Sequence, residues 1–533
     1  MKAVGLVFDA SLPRLVLGGA VSRLRPGSLA RVGSPLALRE VEVPESPGPD
    51  WVPLEPRFVG ICGSDLMQAQ LKADGDNPLS GLISFPHVMG HEIVARTAGS
   101  GEWVVVDPWL GCVARGLECC AGCAEGLPAL CSHAGEPVLT GLTGGGMHLG
   151  NVRGLPGGFG TAMLAHRSQC RPLPAGLEPG AAVLADPLAV GLHAVDRSSY
   201  GGEGPALVLG AGTIGLCATA ALRALDPRAA VLVSAAWPHL AERVRELGAT
   251  PVATGSQAVT DAVAERTGAR RVRPWTGAPW LVGGGASVVI DAVGSAQTAE
   301  IAMRAVRSRG RVVRVGVGRA GRLQATLAYY KEIEVVGSNG SRAGDLDRAL
   351  RLLSEGTVPY SSWLTHSFPL ADWRGQGHAA AGRAGGGEVQ LLIVQESTLV
   401  AASLERVRQA VLDPTAYARV DTKVSTIEVQ ERTPGGMVAR INGQFGPIKS
   451  HILARYTVHD RRVELEMLEG RLRGFHAVFE LEPEDGGVRL THREEYDFGY
   501  PLVSPLVEVM LRGWARRSVQ AEIESLKRAA EEG

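Results

Sequence analysis

Five of the eight cysteines of this chain fall within one stretch, CVARGLECCAGCAEGLPALC, from Cys112 to Cys131. Thiols this dense in a reducing compartment point to a bound metal rather than to disulfides. A second chemical signal is VLGAGTIG, which sets Gly210, Gly212 and Gly215 between an apolar strand and a helix. The first glycine permits a tight turn and the second lets backbone approach a pyrophosphate. The third lets helix and strand pack closely, while the helix N-terminus, opening at Thr213 and Ile214, adds a positive dipole. About twenty residues on, a dinucleotide site of the NAD type places a carboxylate on the adenosine ribose. Here that position is Ala235, in VLVSAAWPHLAER, and no acidic side chain is at hand. This tilts the expectation from NAD towards NADP. The nearest basic residues, His239 and Arg243, read as solvated helix surface, so the choice stays open.

The elements around these signals come from a chain of 533 residues, enough for about three domains. A hydrophobic fraction of 45%, a charged fraction of 20% and a formal net charge of -1 are ordinary for a soluble protein and argue against nucleic acid or an anionic membrane as partner. The start, MKAVGLVFDASLPRLVLGG, lacks an unbroken apolar core and a cleavage site, so the expected location is the cytoplasm. No stretch reaches the roughly 18 apolar residues of a membrane span. Residues 1 to about 175 read as strands and turns. From 176 to 330, apolar strands alternate with Ala/Leu/Arg helices, the pattern of βαβ units around a parallel sheet. Residues 331–395 hold a helix, polar turns and a closing strand, EVQLLIVQE. From 396 onward come a short strand, a helix with Leu404, Val407 and Val411 on one face, a run of strands, and a long amphipathic helix. The inward stripe of that helix is approximated by Leu511, Trp514, Ser518, Ile523, Leu526 and Ala530.

Three further stretches complete the chemical inventory: GICGSDL (Cys62, Ser64, Asp65), GHE (His91, Glu92) and LADPLAVGLHAV (Asp186). Singly, they also fit a buried thiol, a core histidine and an Asp-Pro turn. Together with the glycine turn and in this order, they resemble the zinc-dependent medium-chain dehydrogenase/reductase family, in its alcohol, threonine and sorbitol dehydrogenase-like branch. The resemblance spans about residues 1–395. It implies a GroES-like β-domain at 1–175, completed by 331–395, with a Rossmann NAD(P)-binding domain at 176–330 between its parts. It makes Cys62, His91 and Asp186 ligands of a catalytic zinc, with Ser64 passing the substrate proton outward and Glu92 behind the metal or transiently on it. The implied cofactor set is Gly210, Gly212, Thr213, Ile214, Gly215, Ala235, His239, Val293 and Val315. Two positions depart from the pattern: Asp186 is one methylene shorter than the usual Glu, and Met67 replaces a relay histidine. The implied activity is interconversion of an alcohol and a ketone or aldehyde by a homo-oligomer, a dimer or tetramer.

The same family carries a structural zinc lobe with spacing C-x2-C-x2-C-x7-C. Cys120, Cys123 and Cys131 match its last three positions, while the first falls on Leu117. Cys112 or the adjacent Cys119 would then supply the fourth thiolate. Cys112 is favoured, because neighbouring residues rarely both reach one small tetrahedral ion.

The segment 396–533 resembles the START-like SRPBCC superfamily, in its polyketide-cyclase and coenzyme-Q-binding branch, through AVLDPTAYARV, VQERTPGGMVARI, LEMLEGRLRGFHAVFELEP and the terminal helix. The implied fold is an α+β helix-grip, whose sheet wraps the helix around an apolar ligand. Phe475, Phe479, Met510 and Trp514 could line such a cavity, though plain core is the commoner use. His451, His476 and His492 read as isolated. The expectation is an oxidoreductase with a fused domain that binds or processes a polyketide- or quinone-like molecule. The alternative is a lipophilic-ligand carrier whose dehydrogenase half has lost turnover.

Overall fold

The computed structural model describes residues 2–10, 35–69, 77–317, 324–373, 392–412, 424–433, 436–445, 448–469, 474–497 and 505–532. The chain divides into two compact units, Met1–Ala384 and Gly385–Gly533.

In the first unit, a five-stranded antiparallel sheet runs in the order Met163–His166, Trp51–Gly60, Glu92–Thr97, Trp103–Val106, Cys170–Pro172. Beside it, Lys2–Phe8 pairs with Leu36–Glu42 and with His87–Val88. One face of these strands buries Leu54, Ile93, Ala95, Val104 and Val106 in a shared core. A six-stranded parallel sheet follows, ordered Thr250–Val252, Val231–Ser234, Ala206–Leu209, Ala286–Asp291, Val306–Arg314, Glu334–Gly337. Its central strands are apolar on both faces because helices cover both. This is the doubly wound order of a dinucleotide-binding sheet, with the switch point at Ala206–Leu209. The sixth strand carries the parallel sheet past the expected boundary at 330, since Val335 and Val336 pair with Val312 and Val313.

Two helices tie this sheet to the rest of the unit. Ala185–Ser198 is buried on nearly every side, and Gly191 lets it approach the helix Thr213–Leu225 so closely that a Cβ would stand 2.7 Å from the Cys217 carbonyl carbon. Asp345–Ser354 buries Leu346, Ala349, Leu350 and Leu353, the i, i+3, i+4, i+7 stripe of an amphipathic helix. Its first turn carries Asp345 and Asp347, which suit the positive end of the helix dipole.

Among the described residues, the second unit is a seven-stranded antiparallel sheet with two helices, Leu404–Leu412 and Pro505–Glu532. The sheet runs in the order Leu392–Val400, Gly487–Asp497, Gly474–Glu484, Arg462–Glu469, Ile448–Val458, Gly436–Phe445, Val424–Thr433. The strand expected to close the dehydrogenase part belongs here instead, pairing with Gly487–Asp497 along its length. An apolar run of this kind fits either sheet, and only the partner strand decides. The core takes Val407 and Val411 from the short helix, Phe479 from the sheet, and Leu526 and Ala530 from the long helix, with Phe475 packed against it. Phe475 and Phe479 are therefore core residues. Of Met510, Leu511 and Trp514 only the backbone is described, so their side chains lie outside the described residues.

Candidate metal and nucleotide sites

Gly60 and Glu92 face each other across the strand pair Trp51–Gly60 and Glu92–Thr97. A Cβ on Gly60 would collide with Glu92 Oε2, so the missing side chain lets that carboxylate fold across the ladder. Cys62 follows at the mouth of the helix Gly63–Ala69, and its N–H donates to Asp65 Oδ2 at 3.1 Å. His91 enters after Gly90, whose φ of 90° lies in the left-handed region and whose absent Cβ makes room for Phe159. The donor atoms of Cys62, His91 and Glu92 consequently lie within 4.8 Å of one another. Asp65 Oδ1 stands 3.7 Å from His91 Nδ1. The His148 ring leans on His91, with centroids 4.8 Å apart, and Trp109 meets His148 edge-on at 5.4 Å.

Asp186 does not fall in that group. It sits buried in the first turn of Ala185–Ser198, electrostatically coupled to His91 but outside the cluster of donors. The structure thus groups Glu92, rather than Asp186, with Cys62 and His91. A side chain one methylene shorter, rooted in a helix, reaches less far. Ser64 is exposed at the helix start, and Met67 is half-buried and offers no titrating group. Sequence reasoning singled out neither Asp65 nor His148 for a role. Asp65 had a legible signal, an acid three residues after Cys62 at a helix start; His148, in a glycine-rich turn, had none.

The electrostatics suit a cation. Burial pushes the Glu92 carboxyl up to about 8, with His91 opposing and Asp186 and Asp65 reinforcing the rise. Asp186 is pushed up to about 6 by burial, again opposed by His91. For His91, burial acts to lower the value, but the Asp65 carboxylate and Cys62 outweigh it and hold the ring well above the usual range. Sulfur, nitrogen and oxygen donors packed this closely, with carboxyls that surrender protons to a bound ion, fit a zinc with an open fourth position.

The cysteine loop is more tightly closed. Cys112, Cys120, Cys123 and Cys131 bring their sulfurs within 4.8 Å of one another. Cys112 Sγ lies 3.6 Å from Cys131 Sγ, near the edge of about 3.8 Å set by a tetrahedron with Zn–S bonds of about 2.3 Å. Backbone N–H groups already point at sulfur: Cys112 at Cys123 Sγ (3.3 Å), Cys120 at Cys112 Sγ (3.4 Å) and Ser132 at Cys120 Sγ (3.4 Å). The Ser132 N–H leads in lowering the Cys120 thiol to about 5, while burial raises Cys123 and Cys131. Cys119 is exposed and outside the group. Arg115 fastens the loop by donating to the carbonyls of Leu110 (2.9 Å) and Gly146 (2.6 Å). The chain returning from the parallel sheet docks here too, through Asn339 Nδ2 to the Ala129 carbonyl and the Ala343 N–H to the Gly126 carbonyl.

In the glycine turn, Gly210 has a φ of 96°, and a Cβ there would stand 2.5 Å from Val293. Its N–H donates to Ser234 Oγ at 2.9 Å. A Cβ on Gly215 would strike the Gly210 carbonyl, whereas one on Gly212 would meet nothing within 4 Å. Gly212 caps the helix Thr213–Leu225 without a side-chain hydrogen bond, so the first N–H groups, from exposed Thr213 and half-buried Ile214 onward, stay available to an anion. Val293 and Val315 flank this turn half-buried, and Asp291 Oδ1 holds the Val293 and Gly294 amides at 3.1 and 2.8 Å. Ala235 follows Ser234 at the strand end, and His239 is exposed on the next helix. Further along Thr213–Leu225, the Cys217 thiol is raised by burial and by the nearby Glu92 and Asp186, which brings the nucleotide helix to the edge of the metal cluster.

Three family models match the chain: an alcohol dehydrogenase GroES-like domain over residues 48–175, a zinc-binding dehydrogenase over 213–355, and polyketide cyclase/dehydrase and lipid transport over 392–531. L-Galactonate-5-dehydrogenase of Escherichia coli K12 is 29% identical over 347 residues, covering 63% of this chain and 89% of the relative. Sorbitol dehydrogenase of Halalkalibacterium halodurans is 26% identical over 347 residues, with 63% and 91% covered. Among solved structures, L-idonate 5-dehydrogenase of Escherichia coli superposes with a TM-score of 0.54 at 20% identity, covering 72% of this chain and 96% of that one. Acetophenone reductase of Geotrichum candidum, solved with NAD, gives 0.53 at 19% identity, with 72% and 95% covered. These two structures establish likeness of fold alone. With the GroES-like model lying over both donor clusters and the zinc-binding dehydrogenase model opening at Thr213, at the end of the glycine turn, the chain belongs to the zinc- and NAD(P)-dependent medium-chain alcohol dehydrogenases, carrying behind them a domain of the polyketide cyclase and lipid-transport family.

Proposed function

We propose that the first unit oxidises a secondary alcohol to a ketone, or runs the reverse reduction, at Cys62, His91 and Glu92. The observation that carries this is the cluster of those three donors beside the nucleotide helix. A zinc bound by these residues would supply Lewis acidity, and a bound NAD(P) would supply the hydride acceptor or donor. Asp65 steadies both Cys62 and His91, the first through its amide and the second across 3.7 Å. Exposed Ser64, two residues from Cys62, is the hydroxyl that hands the substrate proton to solvent, as Met67 has no group to receive it. Asp186 acts from outside the cluster, setting the field around His91. The four-cysteine site holds a second zinc that does no chemistry.

The substrate class is a polyol or sugar acid, as the names of the relatives suggest. No ribose carboxylate follows Ser234, so NADPH is used at least as well as NADH. The second unit binds a lipophilic ligand. The chain acts in the cytoplasm; among the described residues, no helix is long and apolar enough to cross a membrane. It assembles as a homo-oligomer through the outer edge of Glu334–Gly337, beside Tyr329 and Tyr330, which are 85% and 61% exposed.

The test is metal analysis with steady-state kinetics on the full chain over a panel of polyols, sugar acids and lipophilic ketones, with each cofactor. At least two zinc ions per chain, one lost in Cys62→Ser and another in Cys123→Ala, and turnover of one panel class support the reading. Cofactor binding without hydride transfer to any compound overturns it and favours the carrier.

A further inference from the structure

His492 does not stand alone, as its sequence context suggested. It lies on the core face of Gly487–Asp497, two residues before Glu494, so the strand's period of two aims both side chains inward. From the opposite side, the helix Pro505–Glu532 lowers Glu522 onto the same point. The three residues are 0%, 1% and 0% exposed. His492 Nε2 stands 3.3 Å from Glu494 Oε1 and 3.5 Å from Glu522 Oε1, and the three donor atoms lie within 4.8 Å of one another.

These separations are the informative quantity. A charge-assisted hydrogen bond from imidazolium to carboxylate closes to about 2.7–2.9 Å. Both contacts are longer, and neither meets hydrogen-bond geometry. One ring N–H facing two oxygens could at best be shared between them in a bifurcated bond. Donors around one ion with bonds of about 2.0–2.1 Å, by contrast, sit about 3.3–3.4 Å apart when tetrahedral. The imidazole itself is unserved, since neither His492 nitrogen makes a hydrogen bond, and a divalent ion shared with the two carboxyl groups would offset the cost of burying it. The Phe479 ring stacks on His492 at 3.8 Å and 26°, fixing the plane of the imidazole.

We propose that His492, Glu494 and Glu522 bind a divalent first-row metal of the zinc class, which pins the terminal helix to the sheet and keeps one coordination position for water or a ligand oxygen. The proposal does not depend on the dehydrogenase reading. It calls for a further equivalent of metal, bound without sulfur, in the second unit.

The test counts zinc in the purified full chain and in Glu522→Gln and His492→Gln. Each variant should lose about one equivalent per chain relative to the unaltered protein. Well-folded variants with an unchanged zinc count overturn the site and leave a buried ion cluster that shares protons. Should both variants fail to fold, peptide-resolved hydrogen exchange on the unaltered chain decides. Chelation should speed exchange across residues 518–530 by about tenfold or more, and added zinc should reverse it. Exchange there that is indifferent to zinc overturns the proposal.

Discussion

The two sulfur-bearing sites of the first unit are built by opposite means. The cysteine loop draws all four donors from twenty consecutive residues. The Cys62 cluster draws its donors from the end of one strand and the start of the next, and depends on the ladder register that sets Gly60 against Glu92. The first gathers four sulfurs, the donor set of a closed structural zinc; the second gathers three mixed donors, the count that leaves a fourth position open in a catalytic one. On the proposed reading, closure makes scaffolding and incompleteness makes chemistry. The division also explains why backbone N–H groups converge on the sulfurs of the loop, while side chains such as Asp65 and His148 surround the open site.

The contrast is most exposed to failure at the metal ligands themselves. Cys62→Ser and His91→Ala should lower kcat/KM by about a thousandfold or more while leaving thermal unfolding nearly unmoved. An active His91→Ala enzyme would remove the chemical role from this cluster. Cys123→Ala should do the reverse, releasing about one zinc and lowering Tm on the order of 10 °C, with turnover per folded molecule within about tenfold of the parent. Calorimetry beside metal analysis reads both quantities, and an unchanged melting profile would mean the loop holds itself without an ion. Within the open site, Glu92→Gln should weaken zinc affinity by about a hundredfold and Asp186→Asn by about tenfold. Competition with a chromophoric chelator ranks the two, and the opposite ranking would make Asp186 the working ligand. Smallest of all, Cys119→Ser should change stability by about 0.5 kcal/mol or less and leave the zinc count alone.

Legibility in the sequence followed the same division. Cys120, Cys123 and Cys131 are readable by spacing because a short loop preserves spacing in space. Cys112 needed one physical idea, that adjacent residues rarely both reach one small ion, and the grouped sulfurs leave out Cys119. The glycine turn was readable because each glycine answers a separate demand; those on Gly210 and Gly215 appear in the structure as close contacts, while the space over Gly212 is open. Harder were contacts made between distant elements. Nothing local indicates that Asp186 stops outside the donor group, because that depends on where its helix packs. His492 and Glu522 lie thirty residues apart, on different element types, so no periodicity joins them. The strand Leu392–Val400 was legible as a strand but not as a member of its sheet, since the outward pattern of an apolar run does not name its neighbour.

Gly60 has a consequence for how variation in this protein should be read. It ligates nothing, carries no charge and sits in an ordinary strand, yet one methyl group there would occupy the space taken by the Glu92 carboxylate. Alanine at 60 would act as a gauge block, prising a donor away from the cluster while leaving every donor in the chain. A survey that scores damage by distance from reactive atoms or by change in polarity would pass it as harmless. In the protein it should register as loss of metal, because here the site is defined as much by a hole as by the groups around it.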